Sequence, residues 1–141
     1  TYVPGASYPR FSTSQPLNLR GEDYRYLILK FVAHNFDGPQ NGGVWFYTWD
    51  SLDQTKGVFG AGPQFTFSNG LNRVVLDMSK ASGEWNTAQP LLRLMPLLPL
   101  TADSTAIHAA GASIDLVYVA LSNDPDLDPP TAVAPGRWKM Y

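Results

Sequence analysis

An all-β sandwich is the fold class this sequence predicts, and three observations carry the prediction. No segment keeps a helical period for more than two turns, while several alternate apolar and polar residues as half-buried strands do. Twelve glycines and twelve prolines punctuate the chain, at roughly the eight-to-twelve-residue spacing of short strands joined by turns. The length of 141 residues and the 44% apolar content suit one domain with a proper core.

The elements follow in order. A short strand near FSTSQPLNL precedes the polar turn RGED. From Tyr24, YRYLILKFVAH is β-branched, aromatic and apolar on both faces, which places it centrally. Tyr24 and Tyr26 share a face with Ile28 as packing residues, and His34 falls at the strand end. GGVWFYTWD, Gly42 to Asp50, is entered through Asn41-Gly42-Gly43. GPQFTFSNG sets Phe65 and Phe67 on one face and ends in the turn pair Asn69-Gly70. LNRVVLDMS puts Val74, Leu76 and Met78 opposite Arg73, Val75 and Asp77. QPLLRLMPLL alternates Leu92 and Leu94 against Leu91, Arg93 and Met95. ASIDLVYVALS sets Val117, Val119 and Leu121 against Ile114, Leu116 and Tyr118. About eight strands result, the usual complement of a two-sheet sandwich.

Residues 1–122 form this domain. The tail 123–141, NDPDLDPPTAVAPGRWKMY, changes character and reads as a Pro-rich linker or arm. Its Trp-Lys-Met-Tyr end can pack back on the domain or reach a neighbour. Asp124, Asp126 and Asp128 alternate like calcium-loop ligands, but the central glycine and closing glutamate of such a loop are missing. A solvated linker is the simpler reading. The chain opens at Thr1, so it is expected to be a processed product or a domain cut from something longer.

Composition removes several classes of function. The net charge of −2, without any Lys/Arg cluster, gives no basic face to neutralise phosphates, so no nucleic acid is expected. The absence of cysteine excludes thiolate catalysis, disulfides and Cys-type zinc sites. The longest apolar run, LLRLMPLLPL, is broken by Arg93 and two prolines and cannot insert across a bilayer. No nucleophile elbow, HExxH or phosphate loop is present, and nothing in the spacing of Asp50, Asp77, Glu84 and Asp115 predicts a carboxylate pair. The chain is not expected to be an enzyme.

The candidate site is the stretch Val44 to Trp49, where four of six residues are aromatic in a chain 13% aromatic overall. On a strand, Trp45, Tyr47 and Trp49 share one face and Val44, Phe46 and Thr48 the other. Val44 and Phe46 already offer a core face, and three further large rings would overfill that layer. The rings therefore form either a platform for the apolar C–H face of a sugar or packing against the core or another subunit. Arg93 interrupts an apolar strand. It pairs with a carboxylate such as Asp77 or Asp115, or it faces a groove and bonds ligand hydroxyls. Asp50 and Asn86 are further hydrogen-bonding candidates, and Trp85, in the loop GEWNT, is either a ligand contact or a lid over the sandwich end.

Three pieces in order carry a resemblance: LNLRGEDYRYLILKF (Leu17–Phe31), NRVVLDMSKASGEWN (Asn72–Asn86) followed by LLRLMP, and IDLVYVAL (Ile114–Leu121). Their succession resembles the galactose-binding-like jelly rolls that serve as carbohydrate-binding modules beside glycoside hydrolases and polysaccharide lyases. Similar domains sit in phage tail-fibre and other virion proteins. The resemblance covers roughly Leu17 to Ser122. It implies a jelly-roll β-sandwich of two antiparallel sheets, non-catalytic binding of a glycan or polysaccharide, and often a structural calcium ion, for which no residue here can be named. It also favours the lid reading of Trp85. The expected setting is extracellular or on a virion, with the chain attached to a larger protein or forming a homo-oligomer. In the rival reading the same fold is a structural or assembly domain whose aromatic face packs on another subunit.

Overall fold

The computed structural model of the chain describes residues 11–13, 16–17, 19–49, 57–100, 111–129 and 139–140. Among them the regular elements are nine strands and two short 3-10 turns. The strands are β1 (Phe11–Ser12), β2 (Tyr26–His34), β3 (Gln40–Trp49), β4 (Gly57–Ala61), β5 (Phe65–Phe67), β6 (Gly70–Asp77), β7 (Leu91–Leu97), β8 (Ser113–Ser122) and β9 (Lys139–Met140). One sheet has the order β6-β2-β8; in the other, four-stranded sheet, β3 pairs with β4, β5 and β7. Every strand pairing among the described residues is antiparallel, including the short one of β1 with β9 that brings Lys139–Met140 of the tail back beside Phe11–Ser12.

The two sheets face each other across one core, and the strand period of two selects it. In β2, Leu27, Leu29, Phe31 and Ala33 point inward and are buried, while Tyr26, Ile28, Lys30, Val32 and His34 form the outer row. In β3, Val44 and Phe46 join the core and Thr48 is buried beside them. β6 contributes Val74 and Leu76, with Met78 just beyond. These faces are the ones the alternation predicts.

Two β-bulges correct the prediction elsewhere. Between β2 and β8, Lys30 opposes Tyr118 but Phe31 opposes Leu116, so Val117 is an extra residue. The bulge reverses the phase of the strand. Ile114 and Leu116 face the core before it, Val119 and Leu121 after it, and Tyr118 falls on the outer side instead of sharing a face with Leu116. In β7, Tyr47 opposes Arg93 and Thr48 opposes Leu91, which leaves Leu92 unpaired. Leu91 and Leu94 are therefore the core residues, not Leu92 and Leu94.

The ends of the sandwich are closed by side chains. At one corner the Asn69 amide brackets Phe36, accepting from its N–H at 2.9 Å and donating to its carbonyl at 2.8 Å. At another, Trp85 is 1% exposed, lies edge-on to Phe46 at 5.0 Å, and donates its indole N–H to the Tyr24 carbonyl at 3.0 Å. Gly21 makes room for it: a Cβ there would lie 2.4 Å from the Trp85 carbonyl oxygen and 2.9 Å from its ring. The N-terminal segment runs beside β7, with Thr13 N–H donating to the Leu94 carbonyl and Leu91 N–H to the Leu19 carbonyl.

Residues Asn123–Asp128, within the predicted linker, lie across the outer row of the three-stranded sheet. Arg73 donates to the carbonyls of Pro125 and Leu127, at 2.9 and 2.6 Å. Lys30 and the Tyr118 hydroxyl both donate to Asp128, at 3.1 and 2.9 Å. The Asn123 side chain anchors the start of this strap to the Asp23 carbonyl and the Arg25 N–H.

Candidate aromatic face

The outer side of β3 carries Trp45, Tyr47 and Trp49, each half-buried, directly behind the fully buried Val44, Phe46 and Thr48. The core is thus filled from the other side of the same strand. Register then assembles the neighbours. Tyr47 lies between Phe59 on β4 and Arg93 on β7, Trp45 between Ala61 and Met95, and Trp49 opposite Gly57.

Phe59 is 46% exposed and forms the crest of the patch. Its ring meets Trp45 at 5.5 Å and Tyr47 at 5.6 Å, with interplanar angles of 74° and 66°. Edge-to-face contact suits the ring quadrupoles, so the patch is ridged, not flat. Gly57 keeps the opposite end low, since a Cβ there would lie 3.2 Å from Leu92 and 3.3 Å from Tyr47. At the far end of β3, Leu100 lies over Gly43 and donates its N–H to the Asn41 carbonyl at 2.7 Å, forming a wall.

Arg93 stands exposed on this face, and its side chain makes no ion pair or hydrogen bond with any described residue. The carboxylates that might have taken it are engaged elsewhere: Asp77 pairs with Arg25 at 3.1 Å and Asp115 meets His34 at 2.9 Å. Neither carboxylate takes Arg93, which stands exposed on the outer face of β7.

The remaining candidates are placed differently. Trp85 is 1% exposed and packs on Phe46 as described above, away from the outer ring row. Asn86 is exposed and lines a cleft of about 320 Å³ with Glu84 and Thr87. That loop meets the β4 edge of the sheet, where Ser82 N–H donates to the Ala61 carbonyl and Gly83 backs onto the Phe59 carbonyl, and its Trp85 packs on Phe46 from the core side. Asp50 lies outside the described residues.

Sequence reasoning missed Phe59. Val58 and Phe59 stand between Gly57 and Gly60, and glycines depress strand propensity. The available cue was topological, because β3 needs an antiparallel neighbour and a hairpin return is the shortest supply of one.

Among the described residues, the groups moved from their ordinary pKa lie on or beside the opposite sheet. The Arg25 hydrogen bond holds Asp77 well below the usual carboxylate range, assisted by Ser79. The Tyr118 hydroxyl, then Lys30, lower Asp128. Burial raises the Tyr118 phenol. Among the described residues no three His, Cys, Asp or Glu side chains form a metal-holding group, and Asp128 is engaged by Lys30 and Tyr118 while Asp124 accepts from the Asp126 N–H.

Comparison of the chain with protein-family models, with curated proteins and with solved structures finds no match.

Proposed function

We propose that this chain is a non-catalytic glycan-binding module that holds a sugar chain on the ring row of β3 and β4. Its sandwich would be a jelly roll of the galactose-binding-like kind, carried by a larger extracellular or virion protein. One observation carries the reading. Four aromatic side chains gather on the solvent side of a sheet whose inner side already fills the core with Val44 and Phe46 at 0% exposure. Packing on the core therefore does not account for them. Ring edges and faces can cover the C–H surface of a sugar, with Arg93 and the Tyr47 hydroxyl as hydrogen-bonding groups beside them.

The test is a glycan array followed by affinity electrophoresis, with Trp45→Ala, Trp49→Ala and Phe59→Ala beside the parent chain. Losing one aromatic contact is expected to weaken binding about tenfold, the loss of roughly 1.4 kcal/mol. Circular dichroism should remain unchanged.

A second reading keeps the fold and makes the same face a subunit interface. It is favoured by the edge-to-face packing of Phe59 against Trp45 and Tyr47, which resembles an interface core more than an open shelf. Binding to no glycan, together with an oligomer in solution that Phe59→Ala dissociates, would replace the first reading by this one.

A further inference from the structure

Arg93 differs from its counterparts in how its charge is used. Arg20 meets Glu22 and Asp23, Arg25 meets Asp77, and Arg73 is consumed by two carbonyls of the strap. Among the described arginines, Arg93 alone has no such partner, and it stands exposed beside Tyr47 on the ring row. Among the described residues of the outer row there, Trp45, Tyr47 and Trp49 with Gly57, Phe59, Ala61, Arg93 and Met95, none is a carboxylate.

The polar chemistry of this row is one-sided. A guanidinium has five donors and no acceptor, and an indole N–H can only donate; the Tyr47 hydroxyl both donates and accepts. A neutral sugar brings hydroxyls that must donate as well as accept. A carboxylate or a sulfate ester brings acceptors only and matches the planar fork of arginine in two parallel hydrogen bonds.

We propose that the glycan held on this face is acidic, and that Arg93 binds its carboxylate or sulfate group while the neighbouring rings cover the sugar. This rests on the glycan reading of the same face. Bulk charge could not produce such a preference, because the chain is net negative at −2 and repels a polyanion as a whole. Selectivity for acid must therefore come from a local cation.

The experiment measures affinity electrophoresis and calorimetric binding against two matched pairs: polygalacturonate with its carboxyl-reduced form, and a sulfated galactan with its desulfated form. The chain is expected to bind one acidic member about fivefold more tightly than its neutral partner, the size of a solvent-exposed charge pair, and the preference should shrink as salt rises. Which pair shows the preference tells carboxylate from sulfate. Arg93→Gln should abolish the preference while leaving ring-dependent binding, and Arg93→Lys should restore part of it as a point charge without the fork. Equal binding to acidic and neutral polymers, lost in Phe59→Ala, would overturn the acidic inference and leave the glycan reading standing. An acid preference that survives Arg93→Gln would overturn the assignment to this residue. Failure to bind any polymer would remove both.

Discussion

The two outer faces of the sandwich arise from the same strand alternation and end in opposite conditions. On the three-stranded sheet, polar side chains are matched within the molecule: Arg25 with Asp77, His34 with Asp115, and Lys30 and Tyr118 with Asp128. The Asn123–Asp128 strap lies over this face, and Ile28, though on the outer row, is 0% exposed. On the four-stranded sheet the outer row presents rings, one cation without a partner among the described residues, and a 46% exposed Phe59. A face whose polar groups are already satisfied has little to offer a ligand. A face with unmatched donors and half-covered rings gains free energy when something covers it.

The largest effect is expected where both faces depend on one residue. Trp85→Ala removes the lid that packs on Phe46 and over Gly21, and a truncation of a buried tryptophan costs about 3–5 kcal/mol. Urea denaturation should show a midpoint lowered accordingly. A variant that kept full stability would mean that the faces do not share this core contact.

A smaller effect separates the faces directly. Ile28→Ala, on the strapped face, should cost about 2–3 kcal/mol, as for other buried aliphatic truncations. Phe59→Ala, on the open face, should cost below about 1 kcal/mol, since much of its ring is already in water. Equal costs in chemical denaturation would mean that the ring row is structural after all. The comparison would then favour the subunit-interface reading.

Much of this arrangement was legible in the sequence, and the failures have a common cause. The inward Val44 and Phe46 and the outward Trp45, Tyr47 and Trp49 follow from local alternation alone, as do Val74, Leu76 and Met78. The bulges at Val117 and Leu92 depend on what the partner strand does, which no local pattern records. Arg25 meets Asp77 across 52 residues of chain, and Lys30 meets Asp128 across 98. Asp128 of DPDLDPP read as part of a solvated run because Lys30 is equally remote, whereas the Asp124 carboxylate accepts from the nearby Asp126 N–H. Trp85 read both as lid and as ligand contact because a loop position does not say which way a ring points; Gly21 beneath it was the deciding neighbour.

The smallest expected effect concerns charge and again divides the faces. Asp77 and Asp128 are held below the ordinary carboxylate pKa of about 3.9, by the Arg25 hydrogen bond in one case and the Tyr118 hydroxyl in the other. A carboxylate whose folded pKa is depressed adds stability that is fully present above its unfolded pKa and is lost as pH falls through the folded value. The urea midpoint should therefore hold from neutral pH down to about pH 5 and then fall progressively below about pH 4. Asp77→Asn and Asp128→Asn should each start from a lower midpoint and show a shallower acid slope, because the protonation they remove no longer differs between folded and unfolded chains. Arg93→Gln should leave the slope as it was, since no described carboxylate answers Arg93. A slope flattened by Arg93→Gln would reveal an internal partner for that arginine, and the open face would then be as self-satisfied as the strapped one.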